Sequence, residues 1–266
     1  MQRALLAVSL ILLVAGAFAL ALLRPWWFTP LASNWGSIDR LIVLSLVLTG
    51  LAYACVNLFV AYSVTRYAKG PTQYTPDDPL VERRLFWLTT FGIIVLLAPG
   101  LYFYAHPVQP PKPGLTVEVL SQQWLWSYRY PGPDGRLGSA DLKRVSPANP
   151  FGLDPKDPAA RDDAVIVGGP LPIYLLLGMP IQLLLRANDV IHNFHVPEFR
   201  VKMDAVPGMI TRIWFTPTRP GTFQVICAEY CGLGHARMLG EVLVVNPEEL
   251  QAWLRTQPSV AQTLGE

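Results

Sequence analysis

Thr222-Phe-Gln-Val-Ile-Cys227-Ala-Glu-Tyr-Cys231-Gly-Leu-Gly-His235-Ala-Arg-Met238-Leu-Gly240-Glu-Val-Leu-Val-Val245 is the stretch on which the reading of this chain turns. Its two ends, 222–227 and 240–245, are rich in β-branched and apolar residues and read as strands. Between them lie two thiols, an imidazole and a thioether within a dozen residues. Those are soft and borderline ligands, and they favour copper over hard cations such as Mg²⁺ or Ca²⁺. Two other readings stay open on spacing alone. One is a Cys227–Cys231 disulfide with His235 and Met238 as bystanders, the other a zinc site, which the thioether of Met238 suits less well.

Outward from that segment, the runs 116–120, 124–130, 173–177, 181–186 and 210–215 also read as strands. Pro207-Gly208 and Pro220-Gly221 mark turns, proline presetting φ and glycine tolerating its positive range. The simplest arrangement of 115–266 is an antiparallel β-sandwich. The Gly/Pro/Asp-rich segment 131–170 reads as a surface insertion. Asn246, Pro247 and the pair Glu248-Glu249 start a C-terminal helix running to about Arg255.

The N-terminal part follows other rules. The 266-residue chain is 52% hydrophobic and only 15% charged, too apolar for an ordinary soluble domain. Segments 4–23, 41–62 and 85–105 each give about 20 residues without a charge, enough to cross a bilayer as a helix. The first is either a transmembrane helix or an export signal, with 1–23 as its extent. Residues 24–106 read as a two-helix transmembrane hairpin with flanking loops, and the Pro-rich stretch 107–114 as a hinge. Arg66, Lys69, Arg83 and Arg84 lie in the loop between the second and third segments. The first loop holds only Arg24 and Arg40, so the N-terminus and second loop are expected in the cytoplasm and everything after 105 outside it. Trp26, Trp27, Trp87, Tyr102 and Tyr104 flank the spans as interfacial aromatics would. The net charge of +2 is small and there is no Lys/Arg-rich run, so nothing points to nucleic acid and none is expected as a partner. Three cysteines are too few for a disulfide scaffold and enough for a metal site. Cys55, inside a span, reads as a small buried residue.

From Asp189 to Val245 the chain resembles the CuA domain of cytochrome c oxidase subunit II. The motifs are Asp189-Val-Ile-His192, Val196-Pro197, Lys202-Met-Asp204-Ala-Val-Pro207-Gly208, Arg219-Pro220-Gly221 and the Cys/His/Met loop. Gln123-Trp124-Leu125-Trp126-Ser127-Tyr128 resembles the family's aromatic segment and 41–105 its anchor hairpin. The resemblance implies a membrane-anchored, all-β chain whose transmembrane helices precede a cupredoxin-like Greek-key sandwich. Cys227 and Cys231 would then bridge two copper ions, with His192, His235, Met238 and the backbone carbonyl of Glu229 completing the binuclear CuA centre. The Glu229 carboxylate would face a Mg²⁺ ion shared with subunit I.

The same resemblance implies an electron-transfer subunit of a haem–copper oxidase in the bacterial inner membrane, the domain on its periplasmic side. Electrons would arrive singly from cytochrome c or a small copper protein through Trp124 and Trp126. They would pass to haem in subunit I, where oxygen is reduced. A CuA-containing nitric oxide reductase subunit and a quinol-oxidase interaction subunit are the alternatives, the latter disfavoured by the two thiols. Arg84 stands where the family carries an acid near the start of its second anchor helix, the nearest acid being Glu82. His195 falls where the family has an apolar residue and is expected in a loop or beside the ligands.

Overall fold

The computed structural model describes residues 2–23, 28–67, 78–105, 110–169 and 171–265. Arg24, Trp26, Trp27, Lys69, His106, Pro170 and the 107–109 part of the expected hinge lie outside them. The chain divides into two compact units, one helical and one of β-structure.

The helical unit comprises α1 (Gln2–Leu23), α2 (Gly36–Arg66) and α3 (Pro79–Ala105). All three are long and apolar enough to cross a membrane, at 22, 31 and 27 residues. Asp78 caps α3 by accepting from the N–H groups of Leu80 and Val81 at 3.0 and 3.2 Å, and Pro79 takes the first-turn position that needs no donor. Polar side chains within the spans bond back to their own helix. Thr49 donates to Ser45 O at 2.7 Å and Asn57 to Tyr53 O at 2.8 Å, as hydrocarbon surroundings require. Most large apolar side chains of the helices are uncovered within this chain, and so is Cys55, contrary to the buried position expected for it. A span facing lipid or another subunit leaves such a thiol exposed to an apolar surface, not to a core.

The β unit is a sandwich of two five-stranded sheets. The first has the order β3 (Ala164–Ile166), β2 (Leu125–Tyr130), β1 (Leu115–Gln122), β5 (Ile181–Ala187), β8 (Thr211–Phe215). The second has the order β4 (Ile173–Leu176), β10 (Leu239–Val245), β9 (Gly221–Cys227), β6 (His192–Val196), β7 (Val201–Ala205). This is the cupredoxin-like sandwich expected, with one difference. The β1–β5 and β10–β4 pairs are parallel, so the sheets are mixed and not antiparallel throughout. Only a short hairpin link forces antiparallel pairing, and both of these pairs are joined by long crossovers. Side chains with zero exposure, among them Val117, Ile181, Leu183, Phe194 and Val225, fill the space between the sheets.

The 131–170 insertion is not a loose surface loop. It supplies β3, the short helix α4 (Pro158–Arg161), and Phe151 and Leu153, which pack with Leu120, Val165 and Val260 in one buried cluster. That cluster covers the outer face of the first sheet. Beneath it Glu118, Arg129, Asp163 and Arg186 form a buried ionic network. Arg129 donates to Glu118 Oε2 at 2.6 Å and to Asp163 Oδ2 at 3.1 Å, and Arg186 to Glu118 Oε1 at 2.7 Å. Burial makes ionisation of Asp163 costly, and its pKa lies near 6 despite the N–H of Gly138 and the guanidinium beside it.

The C-terminus closes on α5 (Pro247–Leu254), started by a reciprocal Asn246/Glu249 cap as expected, and a further short helix α6 (Val260–Leu264). Trp253 of α5 stacks on Tyr174 with ring centroids 4.2 Å apart.

Residues 29–36, which lead into α2, belong to the β unit. They lie as a strap across the Pro197–Phe199 turn and the 216–218 bend. Ala32 N–H donates to Glu198 O (2.8 Å), Thr218 N–H to Ala32 O (2.9 Å), the Ser33 hydroxyl to Phe199 O (2.7 Å) and the Trp35 indole to Trp214 O (3.1 Å). Ala32, Ser33 and Trp35 are buried there.

Candidate metal centre

The end of β9, the start of β6 and the 228–238 connection bring five side chains into one buried cluster. Cys227 closes β9 opposite Phe194 of β6, and its N–H donates to Met238 O, which folds the connection back over the strand end. Gly232 takes φ of +118°, a conformation that a Cβ-bearing residue rarely adopts, and so allows the tight return towards His235. His192, the first residue of β6, projects inward with Phe194 and Val196.

The donor atoms converge. Cys227 Sγ and Cys231 Sγ stand 3.8 Å apart, and His235 Nδ1 lies 3.6 Å from Cys231 Sγ. His192 Nδ1 lies 4.0 Å from Cys227 Sγ and 3.1 Å from Met238 Sδ, which is itself 3.8 Å from Cys231 Sγ. The carbonyl oxygen of Glu229 is 3.2 Å from Cys227 Sγ, while its carboxylate side is exposed. His192 and Met238 have zero exposure, and Cys227 and Cys231 are buried. A disulfide needs sulfurs about 2.05 Å apart, so both thiols here are free. His192, Cys227 and Cys231 offer ligand atoms all within 4.8 Å of one another, a set able to hold a metal ion. Three sulfurs, two imidazoles and one carbonyl suit a soft ion, and the thioether tells against zinc.

The electrostatics separate the two thiols. Burial alone would raise Cys227, but its hydrogen bonds with His192 and with the Asn193 and Glu229 backbone outweigh that and bring the thiol down to about 6. Burial, together with the Cys227 sulfur beside it, pushes Cys231 up to about 11. Cys227 is thus the more readily deprotonated of the two, and the thiolate is the form in which a cysteine ligates a metal.

A further set of groups backs the candidate ligands. Asp189 Oδ1 accepts from His192 Nε2 at 2.8 Å, leaving Nδ1 turned to the sulfurs. Asp189 is held by the N–H groups of Gln123 (2.6 Å) and Val190 (2.7 Å). The Gln123 amide and the Trp124 indole both donate to Cys231 O, at 2.8 and 3.3 Å. In the sequence Gln123 and Asp189 stood out only as the first residues of motifs, with no role of their own in the cluster. The usable signal was spacing, a carboxylate three residues before a candidate ligand histidine.

The two tryptophans do not share a role in the structure. Trp124 precedes β2 in a turn, is 41% exposed and lies with its indole against Gly232 and Gly234 of the ligand loop. Trp126 is in the strand, 3% exposed, with its ring edge-on to His192 and Phe194. Trp124 lies outside the strand run expected to begin with it, and the burial of Trp126 leaves Trp124 as the one of the two with a surface. His195 is on β6, not in a loop. It faces away from the cluster, and its Nδ1 lies 2.8 Å from Val201 O.

The family described as cytochrome C oxidase subunit II, periplasmic domain, matches residues 115–245. The alternative cytochrome c oxidase subunit 2 of Bradyrhizobium diazoefficiens is 43% identical over 262 residues, 97% of this chain and 94% of that one. Cytochrome c oxidase subunit 2 of Cereibacter sphaeroides is 33% identical over 218 residues, covering 75% of this chain and 69% of the relative. The crystal structure of the periplasmic domain of subunit II of cytochrome oxidase from Bradyrhizobium japonicum is 29% identical and covers 56% of this chain and 96% of that domain, with a TM-score of 0.41. With the Bradyrhizobium diazoefficiens relative 43% identical over nearly the full length of both chains, this chain belongs to the cytochrome c oxidase subunit II family and is a subunit of that membrane-bound oxidase.

Proposed function

We propose that this chain takes up electrons one at a time from a soluble donor outside the membrane and delivers them to haem in subunit I. In this reading Cys227, Cys231, His192, His235, Met238 and the Glu229 carbonyl hold a binuclear copper centre. The convergence of two free thiols 3.8 Å apart with both imidazoles and the thioether is the observation that carries it. Copper in such a set supplies a one-electron centre whose charge is spread over two metals, so that little geometry changes on reduction.

The chain's own residues do the rest. The sandwich fixes His192 and Cys227 on neighbouring strands, and burial of the sulfurs keeps water from them. Trp124 offers a partly exposed apolar ring, hydrogen-bonded to the backbone of Cys231, where a donor can dock. The exposed Glu229 side chain is free to meet a Mg²⁺ ion at the boundary with subunit I.

We place the β unit on the periplasmic side of the bacterial inner membrane with three spans behind it. Arg66 at the end of α2 and Arg83 and Arg84 near the start of α3 put positive charge at the facing ends of these two helices in sequence, which supports this. So does the strap, since the link between α1 and α2 folds with the β unit and must share its side.

Copper loading of the full-length chain in detergent tests the reading. Two coppers per chain and a mixed-valence signal with one electron shared over both are expected, lost in Cys227→Ser. One copper of blue, single-site character in the unmutated chain, or a Cys227–Cys231 disulfide that persists under copper, would reject it.

A further inference from the structure

The two imidazoles of the cluster sit in different surroundings. His192 is wholly buried and its Nε2–H is held at 2.8 Å by the Asp189 carboxylate. That carboxylate cannot turn away, because the backbone N–H groups of Gln123 and Val190 fix its two oxygens at 2.6 and 2.7 Å. His235 is only half-buried. Its ring meets Cys231 Sγ through Nδ1 and the exposed Tyr230 ring edge-on, and among the described residues its Nε2 has no hydrogen-bond partner.

We propose that Asp189 is a positioning residue that makes the two halves of the centre electrostatically unequal, holding His192 as a more basic, more electron-donating ligand than His235. The inference rests on the copper reading given above.

A carboxylate accepting the far N–H of a ligand imidazole fixes the tautomer and raises ligand basicity. A more basic ligand stabilises the more positive metal, so in a mixed-valence pair the positive charge leans to the His192 side and the oxidised form is favoured. Asp189 also closes the link between the exposed turn and the ligands. Gln123 holds Asp189 through its N–H and the Cys231 carbonyl through its amide, so the turn bearing Trp124 is tied to both halves of the cluster.

Asp189→Asn keeps an acceptor oxygen for His192 and removes the charge. In the copper-loaded full-length chain, this change should shift the one-electron equilibrium towards reduction by about tenfold, or about 59 mV for one electron. Pulsed paramagnetic resonance should give two unlike imidazole nitrogen couplings in the unmutated chain, drawn closer together in Asp189→Asn. A variant that keeps its copper but leaves both potential and couplings unchanged overturns the proposal, as do equal couplings in the unmutated chain.

A second measurement holds even where the variant fails to load. In the unmutated copper-free chain, nitrogen-15 spectra of the histidines should show His192 as the Nε2–H tautomer with a slowly exchanging proton, and an Nδ1–H tautomer overturns the proposal. No binuclear signal in the unmutated chain overturns the copper reading itself, a failure distinct from these, and the proposal falls with it.

Discussion

Replacing Trp124 and Trp126 separately by alanine separates docking from packing, because the structure gives the two rings opposite surroundings. Trp126 is 3% exposed, so its loss is a full core deletion costing about 3–5 kcal/mol. Trp124 is 41% exposed, so only part of that cost applies, about 2 kcal/mol by proportion. Its indole hydrogen bond adds little, because Cys231 O keeps the Gln123 amide at 2.8 Å and is not left unsatisfied. At about 2–4 °C per kcal/mol for a domain of this size, Trp124→Ala should melt about 5 °C lower and Trp126→Ala about 10 °C or more lower. For donor docking the order reverses. An exposed aromatic at the centre of a contact is worth about 2 kcal/mol or more, so Trp124→Ala should slow second-order reduction by the donor about thirtyfold. Stopped-flow reduction of the intact oxidase, copper content and thermal unfolding would be measured on both variants. If Trp124→Ala loses copper or melts as low as Trp126→Ala, or if it is reduced at the unmutated rate, the assignment of the surface ring is wrong.

Two other outcomes follow from particular contacts. Arg129→Met strips Asp163, which has no exposed surface, of its guanidinium, and should destabilise the chain by about 3–5 kcal/mol. Adding Asp163→Asn should recover part of the lost melting temperature, and no recovery would mean that the loss is one of packing alone. Gly234 has φ of −87°, so alanine is conformationally acceptable there, but its Cβ would fall 2.3 Å from Trp124 Cδ2. Gly234→Ala should therefore displace the indole, change its fluorescence and slow donor reduction as Trp124→Ala does, with copper retained.

What the sequence made legible was local. The candidate ligands Cys227, Cys231, His235 and Met238 fall at the end of β9 and in the connection to the adjacent strand β10, so their spacing survives translation into space. Seven of the ten strands stood out as apolar runs near their final bounds. β6 and β7 did not, because His192, Asn193, His195, Lys202 and Asp204 interrupt them, and β3 is only three residues long. Glu118, Arg129 and Arg186 look like solvent-facing charges in their own strands. Their burial exists only because Phe151 and Leu153 of the insertion pack over that face, a partner tens of residues away. The parallel β1–β5 pair was hidden for the same reason: pairing across a long crossover leaves no trace in neighbouring residues. Trp124 was read into the 124–130 run because a strand's first residue cannot be located to better than a residue or two.

The strap at 29–36 also orders events in time. Its partners, from Glu198 to Thr218, are made more than 160 residues later, the Ser33–Phe199 contact spanning 166. At 5–20 residues per second that is an interval of roughly 10–30 s. During it Ala32 and Trp35 have no surface to cover, so the segment that emerges first is among the last to find its place. A nascent chain halted before Pro197 should leave 29–36 open to protease, and release of the finished chain should close it.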